Sequence, residues 1–292
     1  MMNILDSLCA LGGISAAGVC ELCQLMPALD EAKLARIDRL VPGAASVFVV
    51  LFPYFAGDTP GNLSLYARGR DYHAVIRDTL APFAARLTAE TGCRAVPLAD
   101  DSPLPEVRAA RLAGVGQIGE NGLIFDPDYG SWVFIGTILT DLPFSPAPAV
   151  HRGRAPTPPP EPSDRVLRCN HCGACRRVCP LGALDKEGCV DEQRCLSALT
   201  QQGGELSAEA ADAVRRHPLI WGCDLCQRIC PLNRHVPETD NPAFRDDLIA
   251  SLSAAELDGL TRRQFAEAYP DRAFTWRGPA PLRRNLKRKE EL

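Results

Sequence analysis

Thirteen cysteines occur in the 292 residues, and nine of them fall between Cys169 and Cys230. Eight of the nine form two ordered motifs. The first reads CNHCGACRRVCP and spaces Cys169, Cys172, Cys175 and Cys179 as C-x-x-C-x-x-C-x-x-x-C-P. The second comprises Cys195, Cys223, Cys226 and Cys230, with CDLCQRICP again ending in Cys-Pro. Three thiolates two residues apart can wrap one corner of an iron–sulfur cube, while the Cys-Pro three residues later points away and usually serves the other cluster. The expected ligand sets are therefore Cys169, Cys172 and Cys175 with Cys230 for one [4Fe–4S] cluster. Cys195, Cys223 and Cys226 with Cys179 serve the second. A pair of all-cysteine zinc sites would also use C-x-x-C pairs, but the third close cysteine, the small Gly173-Ala174 spacer and both terminal prolines favour iron–sulfur. Nothing points to secretion, so a disulfide scaffold is not expected.

The rest of the chain is ordinary globular sequence, 46% hydrophobic and 23% charged, long enough for one large domain and a small one. The amino terminus MMNILDSLCALGG lacks the basic region and long apolar core of a secretory signal, and no uncharged apolar stretch would span a bilayer. A cytoplasmic protein with no membrane association, acting as a monomer, is the expectation. A net charge of −4 argues against bulk nucleic-acid affinity. The concentrated basic stretch is LRRNLKRK, with Arg283, Arg284, Lys287, Arg288 and Lys289, which reads either as an RNA-binding patch or as a solvated helix end.

Strand and helix patterns alternate over residues 1–142, which predicts an α/β domain with a mixed sheet. ASVFVVLFPYF (45–55) has the β-branched and aromatic character of a buried strand. DYHAVIRDTLAPFAARLTAETG predicts a helix capped by Asp71, kinked or divided at Pro82 and stopped at Gly92. CRAVPLA reads as a strand. PLPEVRAARLAG reads as a helix with Ser102 as N-cap and Pro103 in its first turn, followed by strands in GLIFDP and SWVFIGTILT. Eight prolines between Pro143 and Pro162 predict an extended linker, 143–163, as the domain boundary. Residues 164–236 then form a ferredoxin-like cluster domain, whose folding energy comes largely from metal ligation. A helical tail occupies 237–292, with Ser253 and Glu256 as a capping box.

Other groups have competing readings. GVGQIG places Gly114, Gly116 and Gly119 in a GxGxxG pattern, but it follows a helix and opens a strand, the reverse of a dinucleotide fingerprint. These glycines either let backbone approach something bulky and flat or make a tight turn. YARGRDYH concentrates Tyr66, Arg68, Arg70, Asp71, Tyr72 and His73 within eight residues. Asp100 and Asp101 stand between a strand and a helix, where a carboxylate serves as a cap or as a catalytic acid. Cys20 and Cys23 lack a partner pair and read as structural.

Taken in order, YARGRDYH, DDSPLPEVRAARLAGVGQIGENGLIF, GSWVFIGTILTDLPF, RCLSALT and WGCDLCQRICPLN resemble the epoxyqueuosine reductase family of cobalamin- and [4Fe–4S]-dependent enzymes. The resemblance implies removal of the epoxide oxygen from epoxyqueuosine at the wobble position of tRNA, the last step of queuosine synthesis. It implies two clusters passing single electrons to cobalt until Co(I) is available, and a reduced flavodoxin or ferredoxin as donor. It also implies an acid at Asp100, or at Asp101 if the register slips by one. Arg70, Asp71, Tyr72 and His73 would line the corrin or substrate cavity, and Gly114, Gly116 and Gly119 would approach the corrin. The acid could donate near neutral pH only if burial or a neighbouring charge raised its pKa.

Three departures from the family pattern stand out. The stretch between Leu25 and Val41 is short, Gln117 and Glu120 replace a common aromatic and basic residue, and the helical repeat region of longer members does not follow LRRNLKRK. Alternatives are a paralogous corrinoid iron–sulfur reductase acting on another substrate and a non-catalytic electron-transfer protein that reduces a corrinoid partner.

Overall fold

The computed structural model describes residues 2–153, 169–185 and 188–290. Two compact units are built from interleaved segments. Met1–Pro53, Tyr72–Gly119 and Leu123–Cys169 make the first, and Tyr54–Asp71, Glu120–Gly122 and Asn170–Leu292 the second. Segment 54–71, expected with the α/β part, thus goes with the cysteine-rich unit, and the tail beyond 236 is part of that unit as well.

The first unit runs α1 (Met2–Cys9), β1 (Ala16–Glu21), α2 (Glu31–Leu40), β2 (Ser46–Pro53), α3 (Tyr72–Thr91), β3 (Ala95–Leu98), α4 (Glu106–Leu112), β4 (Gln117–Ile118), β5 (Ile124–Phe125), β6 (Val133–Thr140) and β7 (Val150–His151). Five strands form one sheet in the order β3-β6-β2-β1-β7, and β4 pairs with β5 separately. Among the described residues every pairing between these strands is antiparallel, which corrects the mixed sheet expected from strand–helix alternation. The reason lies in β2, where all eight residues are buried. Val47, Val49 and Leu51 face a core shared with Ile37 of α2 and Ala109 and Ala110 of α4. On the other face, Phe52 lies with Ile76 and Leu80 of α3 around Gly136. Covering both faces erases the polar alternation that usually marks an antiparallel strand, so β2 reads like a parallel one.

Two local expectations are also corrected. Pro82 does not divide α3, because it lies on the exposed side, where the carbonyl it leaves unpaired can meet water. The helix expected from Pro103 begins at Glu106, with Ser102 Oγ accepting from Leu104 N at 3.1 Å in the loop before it. The Pro-rich linker is not wholly irregular. Val150 and His151 pair with Ala17 and Ala16 as the sheet's edge, and the remainder of that expectation, 154–163, lies outside the described residues.

The second unit contains α5 (Ala174–Val178), α6 (Leu196–Gln201), α7 (Ala208–Arg216), α8 (Leu225–Arg228), α9 (Pro242–Arg245), α10 (Ala254–Leu257), α11 (Arg262–Ala268) and α12 (Ala280–Glu290). Its helices are short. One apolar cluster holds just Leu196, Leu199, Ala210 and Val214, with Leu181, Leu206, Ala213 and Cys223 packed against it. Capping is correspondingly explicit. Ser253 with Glu256 makes the expected box on α10, and Thr261 with Gln264 makes another on α11.

The basic tail is absorbed by the fold. Arg283 donates to the carbonyls of Leu257 and Leu260 behind α10, the latter at 2.6 Å. Arg284 donates to Gln202 O at 2.6 Å and Leu199 O at 3.1 Å at the end of α6. Lys289 reaches Val214 O and His217 O at the end of α7. Three cations therefore satisfy the orphan carbonyls of three helix C-termini and oppose their dipoles. Arg288 pairs with Glu205 at 3.0 Å, and Lys287 stays exposed. Neither sequence reading of this stretch, RNA patch or solvated end, describes Arg283, Arg284 and Lys289.

Between these cations, Asn285 is fully buried and donates to Thr200 O and Ile220 O, both at 2.8 Å. Truncation would strand two buried carbonyls. Asn285→Ala is expected to cost about 1–3 kcal/mol, read as a lowered denaturation midpoint of the second unit. Arg284→Ala, which frees carbonyls of Gln202, Gly204 and Leu199, should act in the same direction and is read by the same midpoint.

Candidate active site and cluster ligands

In the first unit, α3 carries Tyr72 and His73 in its first turn, and the loop after β3 carries Asp100. Tyr72 is stacked between His73, at a ring-centroid distance of 4.0 Å, and Phe134 of β6, at 4.3 Å. Its hydroxyl donates to Asp100 Oδ2 at 2.6 Å, and His73 Nε2 lies 3.2 Å from the same oxygen. The three polar side chains thus form one array, and the Asp100 carboxyl remains 65% exposed. Asp101 is not part of it. That side chain is 88% exposed and takes both Arg36 guanidinium nitrogens, at 3.0 and 3.1 Å.

The hydrogen bond from His73, aided by that from Tyr72, holds the Asp100 carboxyl below the ordinary carboxylate range, against the effect of burial. The raised pKa expected of an acid is found instead on Glu106, which sequence reading passed over. Burial and the neighbouring Asp100 push Glu106 up to about 8. The sign of the resulting pH dependence is definite. The folded state holds this proton more tightly than the unfolded chain, so the stability contributed by Glu106 is fully present below about pH 4.5 and is lost as pH rises to about 8. Glu106→Gln is expected to flatten that decline, measured as urea midpoints at pH 5 and pH 8.

The other expected corrin contacts are placed differently. Arg70 and Asp71 belong to the second unit, where Arg70 pairs with Asp271 and Asp71 N donates to Asp271 O at 2.8 Å. Gly114 has a left-handed φ of +76° at the end of α4. A Cβ on Gly116 would stand 2.5 Å from the Phe125 carbonyl, and Gly119 N donates to Leu123 O at 3.0 Å. Tight backbone packing accounts for Gly116, and turn geometry for Gly114. Cys20 is buried on β1 and Cys23 exposed in the turn after it, in keeping with a structural reading.

In the second unit, short elements present the thiols. Cys175 lies in α5, Cys179 ends that helix, Cys195 precedes α6, Cys226 lies in α8 and Cys230 follows it. Burial, with further contributions from Asp224, Cys195 and Cys179, pushes Cys223 up to about 12. Burial raises Cys226 as well, and its thiol neighbours are Cys223, Cys195, Cys175 and Cys179. Cys226 thus has electrostatic neighbours in Cys179, Cys195 and Cys223, expected for the second cluster, and in Cys175, expected for the first. Such a set is unfavourable as free thiolates and suits a cationic iron core. Ala183 N also donates to Cys179 Sγ at 3.2 Å. Among the described residues, no three His, Cys, Asp or Glu side chains are placed to hold a single metal ion.

Two acidic residues missed by sequence reading support these motifs. Glu120, 6% exposed, meets His171 Nδ1 at 3.2 Å and Arg176 Nε at 3.4 Å. Burial raises its pKa, but the hydrogen bond with His171 and the Arg176 charge outweigh that effect and hold it low. This buried acid is thus matched by two basic groups inside the first cysteine motif. Asp224, between Cys223 and Leu225, is buried and accepts from Ser64 Oγ and from Leu65 N at 3.0 Å. The D of CDLC was the available signal.

Comparison with known proteins gives two family matches along the chain. Residues 168–233 match the family described as a 4Fe-4S double cluster binding domain, and residues 35–100 match that described as epoxyqueuosine reductase QueG. The epoxyqueuosine reductase of Gloeobacter violaceus is 36% identical over 270 residues, which are 85% of this chain and 78% of that protein. The chain belongs to the epoxyqueuosine reductase family. The Bacillus cereus epoxyqueuosine reductase is 31% identical over 88% of this chain, but the match covers 66% of that protein, and for the Listeria monocytogenes relative it covers 53%. The chain thus spans between half and two thirds of the length of these last two relatives.

Among solved structures, an epoxyqueuosine reductase bound to an epoxyqueuosine-modified tRNA-Tyr stem loop superposes with a TM-score of 0.80 at 26% identity, covering 99% of this chain and 80% of that one. The Bacillus subtilis family member, determined with its catalytic aspartate loop swung out of the active site, gives 0.77 at 25% identity over 99% and 80%. No helix among the described residues is long and apolar enough to cross a membrane.

Proposed function

We propose that this chain reduces epoxyqueuosine to queuosine in tRNA, using two [4Fe–4S] clusters and cobalamin. The observation that carries the reading is the Tyr72–His73–Asp100 array, an exposed carboxylate held by two proton-bearing side chains in a member of this family. The reaction consumes two electrons and two protons. The epoxide C–O bonds break, an alkene forms and the oxygen leaves as water. Bound cobalamin supplies the low-valent metal chemistry for that reduction, and the clusters supply single electrons from a reduced flavodoxin or ferredoxin.

Cys169, Cys172, Cys175 and Cys230 hold one cluster, and Cys179, Cys195, Cys223 and Cys226 the other. Tyr72 and His73 offer donors and acceptors suited to the amide-bearing edge of a corrin or to a ribonucleoside. Gly114, Gly116 and Gly119 are the further candidates for approach to the corrin.

Asp100 delivers a proton to the epoxide oxygen. In the structure its carboxyl is kept ionised, so it must gain that proton when substrate covers it. Loss of water raises a carboxyl pKa, and His73 Nε2 is the adjacent proton source. Tyr72 fixes Oδ2 throughout.

The test is anaerobic turnover of reconstituted full-length chain on an epoxyqueuosine-containing anticodon stem-loop, with mass spectrometry of the nucleosides. Cobalamin-dependent loss of one oxygen is the expected result. No conversion by protein with clusters and corrin verified as loaded would overturn the reading in favour of another substrate.

A further inference from the structure

The carboxyl of Glu106 has no role in the chemistry above, yet it is built into the Asp100 turn. Its Oε2 accepts from Asp100 N at 3.2 Å, while Oε1 is buried and has no hydrogen-bond partner. Asp100 itself sits at φ +56°, in the left-handed region that non-glycine residues enter at a cost. Ser102 N closes the turn by donating to Asp100 O at 2.6 Å. The Glu106 bond is thus one of two main-chain contacts that hold an unfavourable backbone, and through it the orientation of the Asp100 carboxyl toward Tyr72 and His73.

We propose that Glu106 is a positioning residue: as a neutral carboxylic acid it anchors the Asp100 turn, and its ionisation releases that turn. An ionised Glu106 would carry a charge taken out of water and set beside a second carboxylate, and both penalties end if the turn opens to water. The groups that face it are Asp100 and Ser102 from the loop and His73 from α3. Arg36, the cation bound to the same loop, is engaged by Asp101. Burial and the Asp100 charge, against weaker help from Asp100 N, Ser102 and His73, place the transition close to working pH. The proposal rests on the reading of Asp100 as the acid only for its functional consequence.

The test is hydrogen exchange of full-length protein at pH 7 and pH 9, corrected for intrinsic rates and followed in residues 98–104, for the native sequence, Glu106→Gln and Glu106→Ala. Protection of the native turn should fall about tenfold between the two pH values, the linkage expected for one proton across a pKa near 8. Glu106→Gln, which keeps an acceptor and cannot ionise, should hold its protection at both. Glu106→Ala, without the acceptor, should lose it at both. Equal protection at pH 7 and pH 9 in the native protein, or the same fall in Glu106→Gln, would overturn the proposal. In turnover assays the alkaline fall in kcat should vanish in Glu106→Gln. Inactive protein with the expected exchange pattern would count against the proposed reaction and leave the role of Glu106 standing.

Discussion

Asp100→Asn is expected to lower turnover by about 10²–10⁴-fold, the usual contribution of a positioned general acid, while iron content and corrin binding are unchanged. The amide keeps the size of the side chain and can still accept from Tyr72, so the array should persist without a transferable proton. Asp101→Asn serves as the matched control. It loses a surface ion pair with Arg36, worth at most about 1 kcal/mol, and turnover should change little. Single-turnover rates on the modified stem-loop distinguish the two variants. Full activity in Asp100→Asn would exclude this residue as the acid, and loss of activity in Asp101→Asn alone would move the role by one residue.

Cys226→Ala should remove the second cluster and with it order in the surrounding short helices. Iron should fall from about eight to about four atoms per chain, because each [4Fe–4S] centre needs its full thiolate set. Cys226 is the informative position, since its thiol neighbours include three other members of the expected set, Cys179, Cys195 and Cys223. The apolar cluster of Leu196, Leu199, Ala210 and Val214 is small, so binding energy from the metal centre adds to the order of α6 and α7. Circular dichroism and iron analysis should therefore change together. Cys189, exposed and outside both motifs, provides the comparison, and Cys189→Ala should retain all its iron. Full iron in Cys226→Ala would break the assignment of ligands.

The cysteine motifs were legible because metal ligation imposes spacing directly on the chain, and short elements deliver the thiols in that order. The main helices and strands were also legible, since β2, α3 and β6 carry continuous apolar patterns. Strand direction was not. With helices on both faces of β2 the alternation that distinguishes antiparallel pairing is erased. The basic tail misled for a related reason. Arg283, Arg284 and Lys289 spend their charge on carbonyls brought near by three separate helices, and no local pattern shows that.

The candidate acid shows the division most plainly. Sequence alone determined which residues were available, Tyr72, His73, Asp100 and Asp101, and the order of the cluster ligands. Tertiary structure decided which carboxylate joins the array, because β3 and the start of α3 bring Asp100 to Tyr72 and His73 while Asp101 turns to Arg36. It also decided protonation. A pKa depends on burial and on charges close in space, and folding places Glu106 beneath Asp100 with one oxygen unpartnered, a relation that six residues of sequence separation do not reveal.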